Sequence, residues 1–250
     1  MADTQETLLG YWLGWVQGPS LEQTPASVTS VALAFAMPNA DNSLDFSELL
    51  TDYTPAVIRQ GADALRDRGV TVLLSIGGST VTEWPDLDPV KFAANVVAAL
   101  EALGCDGVDL DNEGDSDPGE NFIAVIEGLR AALGPDAPIT LPVYLGPQRD
   151  AYLAQVADQI TAVYTMAYWN GYQAQIELFD AYAALVGAAK TGIGVADCAS
   201  PPSSNTDFAI VPRLAQFGPK AGMMLWNLNA SSSAEAHQWC DTIAENLYSG

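Results

Sequence analysis

Eight short apolar runs, separated by segments with helical grammar, constrain the fold more than any other feature of this chain. The runs are 8–13 (LLGYWL), 28–36 (VTSVALAFA), 70–76 (VTVLLSI), 105–111 (CDGVDLD), 138–144 (PITLPVY), 160–168 (ITAVYTMAY), 191–196 (TGIGVA) and 222–228 (GMMLWNL). Most are nearly continuous rather than alternating, as parallel strands buried on both faces require. Between them the sequence repeats one punctuation. Pro55 opens PAVIRQGADALRDRG and Gly69 closes it. Asp88 and Pro89 open the next segment and Gly104 closes it; Asp117, Pro118 and Gly134 do the same for the third. Asp supplies the cap, Pro the first turn and Gly the left-handed stop. Further helical patterns run through 148–159, 176–190, 206–218 and 233–248.

Strand and helix in alternation, repeated eight times in 250 residues, predict a single (β/α)8 TIM barrel over residues 1–250. The first crossover, 14–27, is too short for much helix. No linker, repeat or low-complexity block divides the chain, and SPPSSNTD (200–207) reads as a loop. An apolar fraction of 49% supplies a large core. No window reaches the ~18 consecutive apolar residues of a membrane span, so no membrane partner is expected. A net charge of −22, from 31 acidic and 9 basic residues, repels phosphate backbones and argues against nucleic acid.

The start, MADTQETLLG, carries neither a positive nor an apolar signal region, which leaves a cytoplasmic chain or a secreted one already stripped of its signal. Three cysteines, Cys105, Cys198 and Cys240, cannot all pair. A Cys198–Cys240 bridge stays open, and Cys105 reads as a buried thiol. The only histidine, His237, falls on a polar C-terminal segment and reads as a surface residue.

In such barrels chemistry sits at the C-terminal ends of the strands. The fourth run leaves its strand as GCDGVDLDNEGDSD, residues 104–117. Asp109, Asp111 and Glu113 stand at spacing two, so a strand points all three inward while Val108 and Leu110 face the helices. Asp106 is out of phase and reads as structural. Three explanations compete. Residues 109–120 approximate an EF-hand loop, with Asp109, Asp111, Glu113, Gly114 and Glu120 in ligand or turn positions. Against it stand Glu at the fifth position, a glycine-rich entry segment, Pro118 late in the loop and no partner loop. Simple solvation of a loop fits poorly, because buried carboxylates are costly unless paired or used. The third reading is catalytic: crowded carboxylates cannot all ionise, so one keeps its proton near neutral pH, with Glu113 nearest the mouth as donor.

At this point the sequence resembles glycoside hydrolase family 18, the chitinases and endo-β-N-acetylglucosaminidases. DGVDLDNE (106–113) is similar to that family's D-x-x-D-x-D-x-E motif, SIGG (75–78) to S-x-G-G, and MAY (166–168) to M-x-Y. ALAFA (32–36) is similar to its second strand and GMMLWNL to its last, which carries a tryptophan floor. The resemblance implies a retaining, substrate-assisted hydrolysis of β-1,4-linked N-acetylglucosamine polymers through an oxazolinium ion, an exception to the two-carboxylate scheme. It implies Glu113 as acid and base, Asp111 orienting the sugar's acetamido group, Asp109 holding Asp111, and Tyr168 bonding the acetamido oxygen. Trp226 is implied as the sugar floor, with Gly77 and Gly78 at the end of the third strand. Tyr11, Trp12 and Trp15, at the end of the first strand, are candidates to line sugar sites. Trp169 and Asn170 stand where many members carry Asp or Asn directly after the tyrosine; Asn170 is a candidate substitute and Trp169 an extra stacking wall. The alternatives are cleavage of N-glycan cores and an inactive carbohydrate-binding relative. No metal or other cofactor is implied. The expected partner is a carbohydrate containing N-acetylglucosamine, acted on by a secreted monomer. About two dozen residues separate the last two strands, a helix-sized crossover. That leaves no room for the α+β insertion of some members, so the groove should be open.

Overall fold

The computed structural model describes residues 6–114, 118–144, 146–197, 205–230 and 232–248. Eight parallel strands follow the eight apolar runs: β1 (Thr7–Leu13), β2 (Ser30–Pro38), β3 (Thr71–Gly77), β4 (Gly107–Asp111), β5 (Ile139–Val143), β6 (Ala162–Thr165), β7 (Thr191–Ala196) and β8 (Gly222–Trp226). Each pairs with its neighbours in sequence, and β1 pairs with both β2 and β8, which closes the sheet into the expected barrel. A two-residue arm, Leu44–Asp45, pairs antiparallel with Met37 and Pro38. It is too short to leave a periodic signal in the sequence.

The helices are α1 (Pro55–Asp67), α2 (Pro89–Leu103), α3 (Gly119–Leu133), α4 (Leu153–Val156), α5 (Tyr172–Val186), α6 (Val211–Gln216) and α7 (Ser233–Leu247). The Asp88 carboxylate accepts from the Val90 and Lys91 amides at 3.1 Å each, and Gly104 ends α2 in the left-handed region at φ 76°. Both act as the sequence grammar requires. The expected third cap, Asp117, lies outside the described residues. The crossover after β1 holds only a 3-10 turn, Leu21–Gln23. The helix expected over 148–159 shrinks to the single turn α4, because residues 147–152 are drawn into turns beside the barrel mouth. No helix among the described residues is long and apolar enough to cross a membrane.

Two apolar clusters divide the core. The larger lies between sheet and helices and takes Val108, Leu110, Phe92, Val96, Phe122 and Trp12. The smaller fills the barrel with Leu9, Tyr11, Ala32, Ala34, Leu73, Tyr164, Tyr168 and Met224. Strand alternation sends neighbouring residues to different clusters, so Tyr11 is inside and Trp12 outside. A register irregularity between Leu33 and Ala36 breaks that rule on β2 and turns both Ala34 and Phe35 into the barrel. The peptide bonds Ala34–Phe35 and Trp226–Asn227 are cis.

Cys240 is fully buried in the outer cluster and Cys105 is half-buried against it. The open pairing of Cys240 falls on Cys198, outside the described residues. His237 lies exposed on α7, its Nδ1 2.6 Å from the Ser233 carbonyl.

Candidate active site

Register places the acidic strand between two hydroxyl-bearing neighbours. Ser75 of β3, Asp109 of β4 and Thr140 of β5 share one row. Asp109 therefore meets both hydroxyls at the barrel axis: Ser75 Oγ donates to Oδ2 at 2.7 Å and Thr140 Oγ1 to Oδ1 at 2.6 Å. Tyr11 reaches in from β1 and donates to Oδ2 at 2.7 Å. Asp109 is fully buried. Burial pushes its carboxyl above the ordinary value, and the three hydroxyl bonds offset part of that. Tyr11 is 1% exposed, so it supports Asp109 and offers no face to a sugar.

Asp111 is one strand step nearer the mouth and 2% exposed. Its Oδ1 is buried and has no hydrogen-bond partner among the described residues. Its backbone is held from the side: Gly78 N donates to the Asp111 carbonyl at 2.8 Å. Gly77 and Gly78 make that approach feasible. Gly77 has φ 121°, and a Cβ there would meet the Asp111 carbonyl oxygen at 2.0 Å; at Gly78 it would strike the Phe35 ring. These glycines position Asp111 and present no side chain to a ligand.

Glu113 leaves the strand and is half-buried at the mouth. Burial raises its carboxyl above the usual glutamate range. Asp111 is raised much further, first by burial, then by the charges of Glu113 and Asp109. At Glu113 the cause is burial, and at Asp111 the repulsion of the neighbouring carboxylates adds to burial. Tyr168, just beyond β6, faces the same three carboxyls, and among the described residues its hydroxyl has only a weak partner, Met224 Sδ at 3.7 Å. Asp106 points the other way, as its phase requires: it pairs with Arg66 Nε at 2.8 Å and accepts from Val72 N at 2.9 Å.

An aromatic row borders the acids. Trp226 stacks on Phe35 at 6.0 Å and 15°, Phe35 on Trp15 at 5.8 Å and 27°, and Tyr11 packs on Trp226 at 5.4 Å. Trp226 and Trp15 remain half-exposed. Trp169 stands at the mouth, 53% exposed and edge-on to Tyr168. Asn170 follows it in a turn, its amide bonded to the Ala167 carbonyl at 2.9 Å. Trp12 does not join them. It is 2% exposed on the outer side of β1, packs on Tyr53 at 4.6 Å and donates Nε1 to the Pro19 carbonyl at 3.0 Å. Strand alternation excludes it from the sugar-lining role that its neighbourhood in sequence suggests. Phe35 and Thr140 are the site residues without a signal in the sequence pattern. Phe35 enters through the β2 irregularity, and Thr140 through strand register.

The geometry disfavours the EF-hand reading. Both carboxylate oxygens of Asp109 accept hydrogen bonds from hydroxyls within the barrel, and Asp115, Ser116 and Asp117 of the candidate loop lie outside the described residues. EDTA is accordingly expected to leave Tm and activity unchanged; a fall in Tm restored by calcium would reinstate a cation.

A buried acid with a free oxygen, a mouth carboxyl and an aromatic floor at the C-terminal end of a (β/α)8 barrel define a carbohydrate-processing type of site. Comparison with known proteins agrees. Residues 7–230 match the family glycosyl hydrolases family 18, and the chain belongs to it. The fold is similar to that of a putative chitinase A from Streptomyces coelicolor, with TM-score 0.79 and 21% identity over 98% of this chain and 99% of that one. It is similar to a chitinase from Rhizomucor miehei, with TM-score 0.76 and 18% identity over 96% and 100%. It is also similar to an endo-beta-N-acetylglucosaminidase from Cordyceps militaris, solved as a mutant with fucosyl-N-acetylglucosamine-Asn, with TM-score 0.72 and 13% identity over 98% and 91%. No curated protein sequence matches the chain.

Proposed function

We propose that this glycoside hydrolase cleaves β-1,4-linked N-acetylglucosamine chains of the chitin type, retaining configuration with help from the substrate's own acetamido group. One observation carries the reading: Asp111 Oδ1 is buried with no partner among the described residues. Such an atom is expensive unless a ligand completes it. An acetamido N–H is a donor of the right kind, and a sugar lying on Trp226 would bring it there.

The steps use only groups of the site and substrate. Glu113 gives its proton to the glycosidic oxygen, and the bond from that oxygen to the anomeric carbon breaks, its electron pair leaving with the oxygen. The acetamido carbonyl oxygen attacks the anomeric carbon from the opposite face and forms the oxazolinium ring. Asp111 accepts the N–H and balances the positive charge; Tyr168 donates to the acetamido oxygen. Asp109, fixed by three hydroxyls, holds negative charge below Asp111. Glu113, now a carboxylate, takes a proton from water as that water opens the ring on the original face.

The short connection from β7 to β8, residues 197–221, supports an open mouth and hence internal cleavage. It also keeps N-glycan cores within reach as the second reading. Incubation with chitooligosaccharides and with a high-mannose glycopeptide, products read by mass, separates the two. Shortened oligosaccharides support chitinase action. Release of a high-mannose glycan that leaves one N-acetylglucosamine on the peptide, with oligosaccharides intact, selects the second reading. No cleavage of either contradicts both.

A further inference from the structure

The Glu113 carboxylate accepts no hydrogen bond among the described residues, so its aim depends on its backbone. That backbone is held along its length by the segment that follows β5. Arg149 Nη2 donates to the Asn112 carbonyl at 3.1 Å and to the Gly114 carbonyl at 2.6 Å. Tyr144 Oη donates to the Glu113 carbonyl between them at 3.1 Å. Three successive carbonyls thus take donors from one neighbouring loop. Asn112 Oδ1 also accepts the Gly114 amide at 3.2 Å, which tightens the same turn.

The brace is itself anchored. Arg149 Nη1 donates to Asp150 Oδ1 at 2.5 Å, with the arginine side chain 11% exposed and the aspartate fully buried. Tyr182 of α5 donates to Asp150 Oδ2 at 2.5 Å and accepts the Gly146 amide at 3.0 Å. A buried aspartate neutralises the guanidinium, a tyrosine fixes the aspartate, and a planar fork is left to reach two carbonyls at once, which a lysine cannot do with the same geometry.

We propose that Arg149 and Tyr144 are positioning residues for Glu113: they clamp the three carbonyls around it and hold its carboxyl in the half-buried place from which it serves the reaction. The inference rests on the acid role assigned to Glu113 above. Displacement of a reacting group by about 1 Å can cost on the order of a hundredfold in rate. Loss of the clamp also lets the loop open to water, and a better-solvated Glu113 gives up its proton more easily. Asp109, Asp111 and Tyr168 face the site from the other strands and stay in place; Arg149→Met also removes a cation, which acts to raise Glu113, so the charge-conserving Arg149→Lys and Tyr144→Phe report the loop.

The test compares wild type with Tyr144→Phe, Arg149→Lys and Arg149→Met on a chitooligosaccharide, together with carboxyl 13C titration of Glu113. Arg149→Met is expected to lower kcat roughly ten- to a hundredfold with KM within about threefold. Arg149→Lys, which keeps the charge, should recover part of the rate and move the Glu113 titration down toward the ordinary glutamate value. Tyr144→Phe, which removes one bond and little volume, should lower kcat roughly threefold or more and move the titration in the same direction. If Arg149→Met fails to fold through its unpaired Asp150, Arg149→Lys and Tyr144→Phe decide the matter. Folded variants with wild-type kcat and wild-type Glu113 titration overturn the proposal. If wild type cleaves no such substrate, the reaction assigned above falls, and the 13C titration still decides whether the clamp sets the acid's surroundings.

Discussion

Glu113→Gln is expected to lower hydrolysis by at least about a thousandfold while binding of a chitooligosaccharide stays within a few-fold of wild type. The amide keeps size and polarity but has no proton to give the leaving oxygen, and general acid-base catalysis contributes about a hundred- to ten-thousandfold. The site leaves no substitute. Asp109 is fully buried and Asp111 is 2% exposed, whereas Glu113 is half-buried. Calorimetric affinity and kcat measured on the same preparation check the split. Weaker binding with an unchanged rate would mean that Glu113 holds sugar and transfers no proton.

Asp111→Asn is expected to act in opposite directions on rate and stability. The rate should fall roughly a hundredfold or more, because a preorganised charge beside the cationic intermediate is lost. Stability at neutral pH should rise. The folded-state pKa of Asp111 lies well above the ordinary 3.8. Between that ordinary value and the raised one the native protein binds more protons than the unfolded chain, so stability declines as pH climbs through the window. Asparagine never ionises and removes that slope. A Tm increase of roughly 3 °C or more at neutral pH is expected, shrinking as pH falls toward about 4. Equal Tm differences at both ends of the range would deny that Asp111 is held in an unfavourable charged environment. A carboxyl kept at a cost to the fold is what a site of this kind requires, since its unmet oxygen is meant for substrate.

The sequence made the barrel legible because three codes agreed: apolar runs of strand length, Asp-Pro starts and Gly stops. It made the acidic line legible because spacing two on one strand admits a single facing. The same period should have excluded Trp12, whose neighbour Tyr11 points inward. The aromatic-rich end of β1 drew attention to residue type over phase. Phe35 was hidden for the opposite reason, since the β2 irregularity suspends alternation where the ring is needed. Ser75, Thr140 and Tyr11 meet at Asp109 through strand register, and register is set by a closed sheet that no local pattern encodes. Arg149 and Tyr144 were hidden by distance along the chain, 37 and 31 residues from the carbonyls they hold. Spacing reports which charges are neighbours, whereas the burial that makes Asp111 and Glu113 weaker acids depends on the whole barrel.

The participation of the acetamido group is tested most directly by chitooligosaccharides whose acetamido methyl is fluorinated stepwise. Fluorine drains electron density from the carbonyl oxygen with little change in size. If that oxygen is the nucleophile, kcat should fall steeply across the mono-, di- and trifluoro series, by roughly tenfold or more overall. A rate indifferent to fluorination would place the attack on a protein carboxylate or on water, and would contradict the claim that the unpartnered oxygen of Asp111 orients an attacking acetamido group.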